Sequence, residues 1–456
     1  MTATRKIDIQ SFFGRSVSIA PLVNFRIIFG LLMLFGVSRF VLKGWVSDLY
    51  IEPEFHFSYY GFEWVEALPG NWMYLPFLIM FLSCIGIILG AFYRLSTILF
   101  FGCFTYVELI DKSYYLNHYY FVSLIAFLLI FLPANRDFSL DVRRNPEMFQ
   151  SEVPAWNVWI IRFQMGVVYF FAGLAKLESD WLLEAQPLKI WLQAYRDLPV
   201  IGALFASSWL AFFFSWFGCI YDLTIPFFLS ARRTRKIAYL FVLIFHIVTW
   251  LLFPIGVFPW VMICCTSIFF SVDFHEKIRG GLKRIFRWNE RSSVQSVKRG
   301  GKLIMLPVGI YIFIQLALPF RYLAYPGELF WHEQGFRFSW RVMLMHKEGH
   351  ATFYVRDRET GRELEIDNER FLTEVQEDQM ATQPDFILEY AQLLKETYRD
   401  TVLQFGIQSF HIVDPEIHAS VHVSLNGRPS KLFVKKETRL DDKKDNFAPI
   451  QWIEAF

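Results

Sequence analysis

The sequence is short of charge. Only 19% of its 456 residues are Asp, Glu, Lys or Arg, against roughly 25% in soluble proteins. The net charge of +2 gives no electrostatic case for nucleic acid. Cysteine is scarce too: Cys84, Cys103, Cys219, Cys264 and Cys265 all fall in apolar segments. A disulfide scaffold is therefore not expected, and no metal-ligand spacing appears. A Gly-rich phosphate loop, a zinc signature and a nucleophile elbow are missing, which removes the usual signs of phosphoryl transfer, metal-assisted hydrolysis and serine hydrolase chemistry. No internal repeat or low-complexity tract stands out. Met1 to Ser18 is largely polar and leads into a full-length apolar run, so no cleavable signal peptide is expected.

Apolar and aromatic residues fill the space that charge leaves. The chain is 54% hydrophobic with 51 Phe, and its mean hydropathy is +0.32. That composition belongs in a bilayer. The hydropathy pattern predicts about nine spans, near 20–42, 72–92, 95–110, 115–133, 156–175, 203–229, 237–253, 257–272 and 303–320. The segment 257–272 is short and has a re-entrant alternative. Basic residues cluster before the first span (Arg5, Lys6, Arg15), between the sixth and seventh (Arg232 to Lys236), and between the eighth and ninth (Lys277 to Lys302). The loop 43–71 is acidic instead. The positive-inside rule then places the N-terminus in the cytoplasm and everything after Phe320 outside.

Residues 321–456 change character. Charges become dense and apolar residues alternate. Ala351 to Arg356 reads as a strand. His418 to Leu425 alternates with period two, and Asn426-Gly427 followed by Leu432-Phe433-Val434 signals a hairpin. Pro384 to Gln404 is predicted as one amphipathic helix. The expected architecture is an α-helical multi-pass membrane bundle over 1–320, followed by a mostly β extracytoplasmic domain over 321–456.

Chemistry collects at one face. Lys176 ends the apolar run Trp156 to Ala175, beside the small residues Ala172, Gly173 and Ala175. Small residues admit another backbone or a flat ligand. Desolvation favours the neutral, basic form of an amine; the ordinary alternative is a lysine snorkelling at a helix end. Asn117 and His118 open the fourth span on the same side, where an aromatic belt is the alternative. His246 sits in mid-span, either functional or a neutral histidine bonded across helices. Arg26, Arg162 and Asp222, at one estimated depth, are expected to form a structural ion network. An amine, imidazoles and an amide at an apolar boundary suit proton abstraction from a weak acid on a lipophilic substrate.

Several segments resemble the vitamin K-dependent γ-glutamyl carboxylases, whose membrane part is the horizontally transferred transmembrane domain. Phe171-Ala172-Gly173-Leu174-Ala175-Lys176-Leu177 through Asp180-Trp181 is similar to the segment that carries the family's catalytic lysine. Asn117-His118 is similar to its Asn-His pair, and Pro133-Ala134-Asn135-Arg136 with Ser139-Leu140-Asp141 to a further run. Phe245-His246 with Gly256 and Phe258, and Asp222-Leu223, resemble two more blocks. In the C-terminal part, Gln334-Gly335, Phe338-Ser339-Trp340 with Met343, and Val423-Ser424-Leu425-Asn426-Gly427-Arg428 complete the match. Phe338, Val342, Ala175 and Thr249 depart from the family's usual residues.

The resemblance implies γ-carboxylation of peptide glutamate, driven by vitamin K hydroquinone (or menaquinol) with oxygen and carbon dioxide and coupled to quinone epoxidation. It implies Lys176 as the base, with His118 and Asn117 beside it. His246, Phe258, Trp340 and Met343 are the expected quinone contacts, and no metal is expected. A glutamate-containing peptide or protein and the lipid bilayer are the expected partners, with no nucleic acid. The alternatives are a quinone epoxidase without carboxylation and a non-catalytic quinone- or peptide-binding membrane protein.

Overall fold

The computed structural model describes residues 14–288, 302–405 and 408–456. Of the basic residues used for orientation, Arg5, Lys6, Arg291, Lys298 and Arg299 lie outside that range.

Long apolar runs become long helices because a buried backbone must satisfy its own hydrogen bonds. They are α1 (Ala20–Leu42), α2 (Tyr74–Leu89), α3 (Tyr93–Ile110), α4 (Asn117–Phe131), α5 (Trp156–Ala175), α6 (Ser208–Ser230), α7 (Arg235–Leu252), α8 (Phe258–Thr266), α9 (Val272–Ile285) and α10 (Lys302–Ala317). Shorter helices are named below by their ranges. The helical bundle is as expected, but the span count is not. Among the described residues seven helices are long and apolar enough to cross a membrane, or eight if the bent pair α8–α9 counts as one.

The two remaining expected spans are short. α4 has 15 residues, about 22 Å of helix against about 30 Å of hydrocarbon. It still joins both ends of the bundle. Asn117 stands at one end, and the Ala134 carbonyl just past the other accepts from Arg26 at 2.9 Å. The 257–272 segment is α8 and a 3-10 turn, after which the chain bends by 111° into α9.

The expected Arg26–Arg162–Asp222 network does not form. Arg26 donates to the carbonyls of Ala134, Ile88 and Phe138. Arg162 donates to those of Ile268 and Phe270. Both guanidiniums satisfy carbonyls where helices and turns end, which no carboxylate is needed to do. Asp222 belongs to another group of residues.

The C-terminal part carries a four-stranded antiparallel sheet in the order β4-β3-β7-β8. Its strands are β3 (Lys347–Asp357), β4 (Glu363–Ile366), β7 (Pro415–Leu425) and β8 (Lys431–Val434). The small pairs β1 (Ser16–Ser18) with β2 (Glu152–Pro154), and β5 (Thr401–Phe405) with β6 (Gln408–Ile412), complete the strands. The hairpin turns on Asn426 and Gly427, both at positive φ, a conformation that Asn and Gly tolerate. One helix, α11 (Pro384–Tyr398), packs on the sheet, with Tyr390 edge-on to Phe353 at 4.8 Å. It ends earlier than predicted. Arg399 is extended and Asp400 has a φ of 54°, so the chain leaves the helix and enters β5.

This domain is clamped to the bundle by buried polar bonds. Lys112 lies 3.0 Å from Asp385 and 2.8 Å from Glu389. Arg337 reaches Asp385 at 2.8 Å. Gln376 donates to the Phe55 carbonyl and to Asp111. Burial works against the Asp385 carboxylate, yet Arg337 and Lys112 hold its pKa well below the usual range. At the hairpin tip Arg428 grips Asp180 with both nitrogens, and Asn426 donates to the same carboxylate at 2.7 Å.

Candidate functional site

A cavity of about 1030 Å³ lies where the bundle meets the C-terminal domain. Its walls are mostly aromatic and aliphatic. Phe213, Phe241 and Ile244, on α6 and α7, line it and remain well exposed. Such an apolar lining with few polar groups fits a lipophilic ligand.

The polar groups are few and concentrated. Lys176 follows the last residue of α5 and is 6% exposed. Its Nζ donates to Asp222 Oδ2 at 2.8 Å and to the Ala172 carbonyl at 3.2 Å. The Trp181 ring lies 5.3 Å from the amine. Gly173 explains the approach. A Cβ there would stand 2.6 Å from the Leu223 nitrogen and 3.0 Å from the Asp222 carbonyl carbon. Only glycine lets α5 and α6 close enough for this pair, as the small-residue reading of the segment requires.

The same contact corrects the depth assigned to Lys176. Asp222 is fourteen residues past the first residue of α6, about 21 Å along its axis. Lys176 sits level with it, so α5 ends well inside the length of α6 rather than at its end. The chain after Lys176 stays packed along α6. Trp181 Nε1 donates to the Ser215 carbonyl at 2.9 Å, and the Ser215 hydroxyl donates to the Trp181 carbonyl.

The remaining predicted residues divide. His118 lines the cavity, its ring stacked on Phe258 with centroids 5.2 Å apart. His246 lines it as well, and its Nε2 shares a 2.9 Å hydrogen bond with the Tyr169 hydroxyl. Asn117 borders it and is tied down: its amide donates to the Arg341 carbonyl at 2.9 Å, and its Oδ1 accepts from Tyr115. Tyr115 also accepts from the Phe338 amide at 2.7 Å. Met343 lines the cavity together with Val342 and Phe336. Trp340 does not reach the lining. It is 1% exposed and stacks on Tyr120 at 5.0 Å, so its expected direct contact is replaced by a supporting one. In this loop Phe338, Trp340 and Met343 all have positive φ, strain that persists only where the surroundings fix it.

Three members of the site went unpredicted as such: Asp222, Tyr169 and Trp181. Tyr169 lies seven residues before Lys176 on α5, two turns away on the same face. That spacing was the available signal. Asp222 carried one too, as the acid of an otherwise apolar helix.

Comparison with known families follows the two parts of the chain. Residues 14–274 match the HTTM domain, and residues 300–456 match the vitamin K-dependent gamma-carboxylase, lumenal domain. No solved structure matches the chain.

Proposed function

The chain belongs to the vitamin K-dependent γ-glutamyl carboxylase family, and from that premise we propose that it oxidises a lipophilic hydroquinone at Lys176 and couples this to γ-carboxylation of a peptide glutamate. The observation that carries the reading is the Lys176–Asp222 pair, buried at 2.8 Å in the wall of a largely apolar cavity. An apolar cavity with a few convergent polar groups fits a lipophilic ring bearing oxygens.

When bound, the hydroquinone supplies reducing electrons and, with oxygen, a base strong enough for a γ-C–H bond, and carbon dioxide supplies the new carboxyl. The protein's part is narrower. Lys176 in its neutral form takes the hydroxyl proton. Asp222 stabilises the ammonium that results, at no reorganisation cost because it already stands in place. His118 and His246 present ring nitrogens along the cavity and orient a ligand oxygen. Asn117, bonded to the Arg341 carbonyl, positions the C-terminal loop as a wall. Phe258 and Met343 bound the ring site. The aromatic lining keeps out water, which would quench a strong base or a carbanion.

The peptide reaches this cavity from the side of the C-terminal domain, and the proposal places that domain outside the cytoplasm and the N-terminus inside. The division of the chain at 320/321 is part of the same reading. The test uses purified protein in nanodiscs supplied with vitamin K hydroquinone, oxygen, labelled carbon dioxide and a Glu peptide. Quinone epoxide and label fixed in peptide are both expected. Epoxide without fixed label leaves an epoxidase, and absence of both products overturns the proposal.

A further inference from the structure

The bundle end remote from Lys176 carries a helix that the catalytic reading does not use. α9 turns away from α8 by 111° and divides its residues between two faces. The inner face is bonded to the protein. His275 meets Asn24 at 3.2 Å, Glu276 accepts from Ser18 at 2.5 Å, and Arg279 and Lys283 pair with Asp137. The outer face presents Phe274, Ile278 and Ile285, all exposed. Their spacing puts them within one narrow stripe of a helix.

Basic residues border that stripe. Lys277, Arg284 and Arg287 are exposed, and among the described residues none has a carboxylate within ion-pair distance. Asp273 is the one acidic residue on the same flank. The division is informative, because Asp137 already engages Arg279 and Lys283 while the other cations point outward with the apolar stripe. An apolar stripe edged by cations, on a helix bent sharply away from the one before it, is the pattern of a helix lying in a membrane interface.

We propose that α9 is a docking surface for anionic phospholipid in the leaflet at this end, with Phe274, Ile278 and Ile285 set among the acyl chains. Lys277, Arg284 and Arg287 contact the phosphate headgroups. Charge complementarity selects this occupant, since an anionic surface attracts each cation held close to it. The lipid steadies the Arg26–Asp137 end of the bundle through Asn24 and Ser18, remote from the cavity.

The experiment uses the full chain in nanodiscs of phosphatidylglycerol or of phosphatidylcholine. Hydrogen exchange over α9 should be at least about fivefold slower in the anionic lipid. K277Q/R284Q/R287Q should lose most of that difference while still oxidising hydroquinone. R232Q/R233Q, a charge change in the α6–α7 loop, should keep it. Equal exchange in the two lipids overturns the proposal, as does a triple variant that keeps the difference. Inorganic phosphate added to phosphatidylcholine discs should have no effect; protection by phosphate alone would mark a simple anion site and also overturn it. If the triple variant does not fold, K277Q alone is read in the same way, with a smaller loss expected.

Discussion

Lys176 and Asp222 form a buried pair at 2.8 Å, with the two side chains 7% and 6% exposed. A buried pair is costly to break from one side only, because the partner is left as an uncompensated charge. That asymmetry separates the roles of the two residues.

Removing the base should stop the chemistry without unfolding the protein. Lys176→Ala should reduce hydroquinone oxidation by about 100-fold or more, and a small added amine should restore part of the rate. Epoxide formation by liquid chromatography measures it. A wild-type rate in this variant would leave Lys176 as a structural partner of Asp222 rather than a base.

Asp222→Asn should lower both stability and turnover. Unpairing one member of a buried pair costs about 3–5 kcal/mol, and the lost counter-charge removes stabilisation from protonated Lys176. Lys176→Met should also lower the melting temperature, and the double variant should recover much of the loss. A thermal double-mutant cycle with additive effects would mean that the pair is not coupled.

Acid should loosen the C-terminal domain. The Asp385 pKa is held below its usual range, so its contribution is complete above the unfolded value of about 3.9. It is lost as pH falls through the folded value. Lys112 has the opposite sign. Burial works against its charge, but Asp385 and Glu389 hold its pKa above the ordinary value, so its contribution lasts until pH rises through that folded value. Melting curves between pH 7 and about pH 2 should show a fall below about pH 4 in the wild type that is reduced in Asp385→Asn. Parallel curves would exclude Asp385 as the source.

Sidedness can be read with single cysteines. Glu359 and Arg233 are both exposed and suit the test. Cysteines at these two positions should react with impermeant reagents from opposite faces of sealed vesicles. Reaction from one face would reverse the proposed orientation of one end.

Sequence periodicity made the helices and the β7–β8 hairpin legible because each depends on local pattern. That Lys176, His118, His246 and Met343 belong together was legible, and all four line one cavity. The partner of Lys176 was not. It depends on how far α6 is displaced along α5, which Gly173 sets through a backbone contact with Leu223. Counting residues from helix ends put Asp222 in the later half of α6, where it stands, but set Lys176 at the opposite level, since nothing in the count shows that α5 stops midway along α6. Trp340 was expected as a quinone contact from the resemblance of its motif, but it stacks on Tyr120 behind the cavity lining. The positive φ of Phe338, Trp340 and Met343 redirects successive side chains in that loop, and no hydropathy pattern encodes that.

Phe336, Val342 and Met343 come from the C-terminal part yet line a cavity whose other walls come from the helical part. Neither part encloses that cavity alone. A chimaera that joins this helical bundle to a relative's outer domain would inherit a mismatched seam, with ring volume and loop shape drawn from different histories. Substitutions along that seam should therefore arise in matched sets across the two parts, and exchange of whole domains between relatives should fail more often than exchange of single residues away from it.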